Sequence, residues 1–180
     1  EAKNVIFKKH LIRKKIKFPI VLKPVSEGSS LGIKIVKKLQ DLNNSAKILF
    51  KKYDQLIFEE FIGGQEIQAA IISKTALGAI ELIPKRLFYD YKAKYTKAAK
   101  TKHIMPARLS KKNYNKVLNI AKKAHTALGC RGVSRADFKF FKNKFYILEL
   151  NTQPGMTNLS LVPEIAAYQG INFFNLIKLI

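Results

Sequence analysis

A run of alternating side chains between Gly132 and Leu161 constrains this chain more tightly than anything else in it. It reads Gly-Val-Ser-Arg-Ala-Asp-Phe-Lys-Phe-Phe-Lys-Asn-Lys-Phe-Tyr-Ile-Leu-Glu-Leu-Asn-Thr-Gln-Pro-Gly-Met-Thr-Asn-Leu-Ser-Leu. Two aromatic-rich runs flank Lys142-Asn143-Lys144, a polar turn whose central residue tolerates positive φ, and this pattern predicts a β-hairpin. A turn centred on Asn143 sets Asp137 opposite Glu149 and Arg135 opposite Asn151. Strand side chains alternate with period two, so these four residues share one face. The other face carries Ala136, Phe138, Phe140, Tyr146, Leu148 and Leu150 and is expected to meet a core.

Two carboxylates directly across a ladder repel each other, so the pair calls for a cation between them. Asp, Glu and an Asn carbonyl are all hard oxygen donors, with no sulfur or imidazole among them. That set suits Mg²⁺ or Mn²⁺ better than Zn²⁺, and such ions commonly complete their octahedron with substrate phosphates. The hairpin by itself equally allows carboxylates that are solvated or paired with Arg135 and nearby lysines.

The chain has 180 residues, 47% of them hydrophobic, enough for one or two small globular domains. No uninterrupted apolar run is long enough to span a bilayer, and no membrane partner is expected. The opening Glu-Ala-Lys-Asn has neither an initiator Met nor a signal-peptide layout, the expectation for a fragment or processed chain. Cys130 is the lone cysteine, which excludes an internal disulfide and fits the cytoplasm. Thirty-four Lys and Arg against 12 Asp and Glu give a net charge of +22, which suits anionic partners. The lysines are dispersed and no nucleic-acid motif accompanies them, so no specific nucleic-acid partner is expected.

Along the chain, residues 4–16 suggest a strand and a helical turn. Phe18 to Pro24 is a short apolar strand that sets Lys23 at its exit. Ser26 to Gly32 is a loop of small polar residues whose amides suit a phosphate. It is not a Walker A loop, because Gly-Lys-Ser/Thr is missing; strand, glycine loop and strand instead suggest a phosphate flap. Helical spacing covers Leu39 to Tyr53, and strands are expected over 57–62, 66–72 and 76–83. Glu59 and Glu66 flank Gly63-Gly64, either as solvated edge residues or with one poised to accept hydrogen bonds from a ribose. Residues 85–105 read as a lid or binding loop. Ser110 caps a helix to Leu128 that ends at Gly129, with Val117, Leu118, Ala121, Ala124, His125 and Leu128 on one face. His125 reads as a helix-surface or packing residue rather than a ligand, and Cys130 as buried rather than reactive. Ser160 is expected to cap a helix from Leu161 to Tyr168, and Asn172 to open a last helix.

Five stretches follow one another in fixed order: Lys23-Pro-Val-Ser-Glu-Gly-Ser-Ser-Leu-Gly, Glu59 to Glu66, Tyr89-Asp-Tyr-Lys-Ala-Lys-Tyr, Arg135-Ala-Asp, and Glu149-Leu-Asn-Thr-Gln-Pro-Gly-Met-Thr. Together they resemble the D-alanine–D-alanine ligases of the ATP-grasp superfamily over nearly all of 18–180. The last motif is the most specific. The resemblance implies an α+β ATP-grasp fold, two α+β subdomains gripping ATP between antiparallel sheets. Residues 1–67 would be part of the central subdomain with its phosphate flap, and 68–180 the C-terminal catalytic domain. It implies D-alanine and ATP as substrates, Mg²⁺ or Mn²⁺ as cofactor, a role in peptidoglycan precursor synthesis and a possible homodimer.

Carried over by residue, the resemblance gives Lys23 to ATP phosphate and adenine-side atoms, Glu59 to the adenine, Phe61 and Ile62 to the hinge backbone and Glu66 to the ribose. Lys94 would reach the γ-phosphate, Tyr95 would belong to the closing loop, and Ser29 to the flap. Arg135 and the Gly155 amide would stabilise a tetrahedral oxyanion. Asp137, Glu149 and Asn151 would hold the metal, and Ser160 with the Leu161 amide would meet the carboxylate of the second D-alanine. The N-terminal domain of the family, with its contributions to the first D-alanine, has no counterpart here. A remnant that at most binds ATP and Mg²⁺, or a ligase for another carboxylate and amine, are the competing expectations.

Overall fold

The computed structural model describes residues 15–28, 30–84, 101–157 and 159–180. The expectations for residues 4–14, and for the lid between 85 and 100, lie outside the described residues. Two compact units divide the chain: the described residues through Phe61 form one, and those from Ile62 onward the other. The boundary expected after residue 67 would cut a strand, Gln65–Ile72, that is hydrogen-bonded throughout into the sheet of the second unit.

The smaller unit is a three-stranded antiparallel sheet of order β2-β1-β3, with β1 at Ile20–Pro24, β2 at Lys34–Val36 and β3 at Leu56–Glu60. The β1–β2 hairpin carries the expected glycine loop, where the Leu31 amide donates to the Gly28 carbonyl at 3.0 Å. Helix α1, Leu39–Leu49, follows. Its Leu42, Ala46 and Leu49 lie one helical turn apart and close a core on Ile20, Leu22 and Val36. Ile20 and Leu22 alternate with Val21 and Lys23, so Lys23 stands on the face away from that core.

The larger unit is a five-stranded antiparallel sheet of order β6-β5-β4-β7-β8. Its strands are β4 (Gln65–Ile72), β5 (Thr75–Ile83), β6 (Lys102–Ile104), β7 (Val133–Phe141) and β8 (Lys144–Asn151). The short β6 corrects the reading of 85–105 as loop throughout: Lys102–Ile104 pairs with Glu81–Ile83. Helix α2, Lys111–Ala127, is capped by Ser110, whose Oγ accepts from the Asn113 amide. Val117 and Ala121 pack it on Ile67, Ala69, Ile71, Ala79, Ala136 and Phe138. Leu128, expected on that face, is the C-cap and is exposed. His125 is buried, with Nδ1 2.7 Å from Ser134 Oγ. Helices α3, Leu161–Tyr168, and α4, Phe173–Lys178, complete the unit.

The hairpin β7–β8 differs from the expected one near its tip. Phe141 pairs with Lys144, so the turn has two residues, and Lys142 and Asn143 both take positive φ (48° and 60°), as a two-residue hairpin turn requires. A bulge beyond Asp137–Phe138 places one extra residue on β8 and restores the expected pairing: Asp137 with Glu149 and Arg135 with Asn151. The turn and bulge offset each other. Between them the parity reverses, so Phe145, not Tyr146, joins Phe138 and Phe140 on the core side, and Leu148 is 38% exposed.

Candidate active site

In the smaller unit, Lys23 and Glu59 meet on the face away from α1. Lys23 Nζ lies 2.8 Å from Glu59 Oε1. Strand register explains the meeting, since Val21 is opposite Glu59 and Lys23 is opposite Ile57, a diagonal neighbour on the same face. The Phe61 amide donates to the Pro19 carbonyl at 2.9 Å, so that donor of the expected hinge is engaged within the unit. Ser29 lies outside the described residues.

The larger unit brings together the hairpin residues. Arg135, Asp137 and Lys139 project from one face of β7, with Asn151 and Glu149 opposite the first two. Arg135 grips Asp137 with two parallel bonds, Nε to Oδ1 at 2.7 Å and Nη2 to Oδ2 at 3.0 Å. Both side chains are largely withdrawn from water, at 15% and 7% exposure. Of the alternatives that the sequence left open for Asp137, pairing with Arg135 is therefore present. Glu149 is exposed, and Asn151 Nδ2 lies 3.4 Å from its Oε1. Flipping that amide would place its oxygen beside Glu149, since amide orientation is an assignment. Two carboxylates and an amide oxygen on one face form a hard-oxygen donor set, and that chemistry fits a divalent cation of the Mg²⁺ class.

Beside this group, Glu66 is not a solvated edge residue. It stands opposite Lys139 across β4–β7, and Lys139 Nζ lies 2.8 Å from its Oε2. Gln68 is opposite Asp137, buried, and among the described residues its Oε1 has no hydrogen-bond partner. Lys139 and Gln68 were absent from the candidate residues. The strand parity that selected Asp137 was the signal that could have added Lys139, two positions on.

At the other end of the hairpin, Gly155 and Ser160 are neighbours: a Cβ on Gly155 would lie 2.9 Å from Ser160 Oγ. Ser160 occupies the N-cap of α3 but, contrary to expectation, makes no side-chain cap bond. Its hydroxyl turns back to accept from the Thr157 amide at 3.0 Å. Leu161 is buried by its side chain at the start of the helix. Lys94 and Tyr95 lie outside the described residues.

A second buried cluster was not foreseen. Glu81, 2% exposed, accepts Arg108 Nε and Nη2, each at 2.9 Å, and Gln65 Nε2 at 3.1 Å. These bonds, Arg108 foremost, hold its carboxyl below the ordinary carboxylate value against the opposing effect of burial.

The family model described as D-ala D-ala ligase C-terminus matches residues 2–180. A D-alanine–D-alanine ligase of Pelagibacter ubique is 57% identical over 168 residues, covering 93% of this chain and 55% of that protein. One from Geotalea uraniireducens is 48% identical, covering 89% and 52%. The chain thus spans about half the length of the curated relatives it matches. Among solved structures, VanG D-Ala:D-Ser ligase from Enterococcus faecalis is similar with a TM-score of 0.83 and 29% identity, over 98% of this chain and 52% of that one. D-alanine–D-alanine ligase from Bacillus anthracis complexed with ATP gives 0.78 and 31%, over 94% and 54%. The two units, each an antiparallel sheet with helices, are the α+β architecture of the ATP-grasp fold. By sequence and by fold alike, the chain belongs to the D-alanine–D-alanine ligase family and corresponds to its C-terminal region.

Proposed function

We propose that this chain supplies the nucleotide, metal and oxyanion groups of an enzyme that joins two D-alanines, with ATP going to ADP and phosphate. The observation that carries this reading is the pairing of Asp137 with Glu149, flanked by Arg135 and Asn151, on one sheet face of a chain of this family. A carboxylate oxygen of the first D-alanine attacks the γ-phosphorus and ADP leaves. The amine of the second then attacks the acyl carbon of the acylphosphate, and the tetrahedral intermediate expels phosphate with loss of a proton.

Such phosphoryl transfer needs positioning and charge neutralisation more than a nucleophilic side chain. In this reading Lys23 meets phosphate and Glu59 orients it from the adenine side. Ile62 offers the hinge amide, since the Phe61 amide is engaged by Pro19. Glu66 accepts from the ribose. Asp137, Glu149 and Asn151 would hold Mg²⁺ or Mn²⁺, whose chemistry when bound is to neutralise phosphate oxygens. Arg135 and the Gly155 amide face the oxyanion, and Ser160 and the Leu161 amide take the carboxylate of the second D-alanine at the N-terminus of α3. Ser29, Lys94 and Tyr95 keep the flap and lid roles that the resemblance gives them. The same resemblance supports a cytoplasmic, homodimeric enzyme of peptidoglycan precursor synthesis. The D-Ala:D-Ser ligase among the structural neighbours makes the second amino acid the point to test.

The test is coupled phosphate release by the chain with ATP, Mg²⁺ and D-alanine, alongside D-serine, and with Glu149→Gln as control. Release that depends on D-alanine and is abolished by Glu149→Gln would support the full reaction. The variant's melting temperature without ligand should be unchanged, because Glu149 is exposed. Thermal stabilisation by ATP–Mg²⁺ without release would restrict the reading to the nucleotide and metal groups. Absence of both signals would refute it.

A further inference from the structure

Lys139 is a half-buried cation that the ligase reading leaves unused. It lies two residues beyond Asp137 on the same face of β7, about 6–7 Å along the strand from the proposed metal donors. Its partner Glu66 stands directly opposite on β4. The pair is largely withdrawn from water, at 17% exposure for Lys139 and 12% for Glu66, yet not sealed. Its 2.8 Å bond uses Oε2 of Glu66. Among the described residues, Oε1 has no hydrogen-bond partner, so one acceptor oxygen is left over on a side chain that keeps some exposure.

We propose that Lys139 is a positioning residue for nucleotide sugar recognition. By fixing Oε2 it holds the Glu66 carboxylate in one orientation and aims Oε1 at a ribose hydroxyl. This rests on the reading of Glu66 as the ribose acceptor. A carboxylate has two acceptor oxygens and free rotation about its last torsion, so an unheld Glu samples orientations in which neither oxygen meets the sugar. A charge-assisted bond of 2.8 Å is strong enough to select one of them. Tyr146 stands opposite Lys139 on β8. Lysine suits the role because its point charge binds one oxygen and leaves the other free, where an arginine fork would take both.

The experiment measures equilibrium binding of ATP, 2′-deoxy-ATP and 3′-deoxy-ATP to the chain in Mg²⁺, for wild type, Glu66→Gln, Lys139→Met and Lys139→Arg. The ratio of deoxy-ATP to ATP dissociation constants is the readout, with melting temperatures measured in parallel. Wild type should favour ATP over at least one deoxy analogue by about tenfold, the size expected for one hydrogen bond to a charged group. Lys139→Met should bring that ratio to within about twofold of unity, as should Glu66→Gln, and Lys139→Arg should lower it too, because a guanidinium can fork onto both carboxylate oxygens. A Lys139→Met chain that melts lower but keeps the wild-type ratio would make the pair merely structural and overturn the proposal. A Glu66→Gln chain with the wild-type ratio would sink the ribose reading itself, and failure of wild type to bind ATP would refute both.

Discussion

Glu81 shows what one residue can carry outside the reaction. It is buried among β5 neighbours and held by Arg108 and Gln65. Because its carboxyl is held below the ordinary value of 4.5, the unfolded chain takes up its proton at higher pH than the folded one. The stability it contributes is complete above that value and is lost as pH falls through the lower, folded one. Thermal melts of wild type should therefore drop more steeply below pH 4.5 than those of Glu81→Gln, whose titration is gone. Arg108→Ala should be destabilised at neutral pH, because it leaves a buried carboxylate without its main partner. None of this was legible beforehand: the two residues are 27 positions apart, and no local period encodes which backbone passes a given strand. Asp137, Glu149, Arg135 and Asn151 were legible, because their relation is set by one hairpin and the two-residue strand repeat. Ser160 was legible as a helix start but not in its bonding, since Thr157 competes for the hydroxyl within the preceding loop.

Elements were read well wherever a period ran long enough. Helix α2, the hairpin β7–β8 and the strands β4 and β5 lie where apolar spacing put them. The three-residue β6 is too short to show a period, and only its pairing with β5 reveals it. The β8 bulge was invisible for another reason: an extra residue in a strand leaves composition unchanged and alters only parity, which the turn happens to compensate. The junction between β3 and β4 offers a sharp contrast between adjacent glycines. Gly64 has φ of +87°, and a Cβ there would press into the Phe140 carbonyl oxygen, whereas a Cβ on Gly63 would meet nothing within 4 Å. Gly64→Ala should lower stability by about 1–3 kcal/mol or more in denaturant titrations. Gly63→Ala should change it by no more than about 0.5 kcal/mol.

Among the described residues, each unit has a core of its own. Leu42 is fully buried in the smaller and Phe138 in the larger, and each core is closed by its own helix. Leu42→Ala should cost about 2–5 kcal/mol. Hydrogen exchange should locate that loss in β1, α1 and β3, with protection of β4 and β7 amides kept near wild type. Equal loss of protection in both sheets would contradict separate cores. This division was legible only in outline: the Gly63-Gly64 interruption was plain, but the sequence did not reveal that Gln65 already belongs to the second sheet. The hairpin of that sheet also has a practical use. Its tip, Lys142-Asn143, is exposed and is tied down by an exposed bond from Asn113 to Asn143 at 2.8 Å. The bulge lies between this tip and the carboxylate pair, while β7 is braced along its other edge by β4. A reporter peptide or fluorophore spliced at the tip would thus ride on the protein as cargo, with Asp137 and Glu149 still face to face.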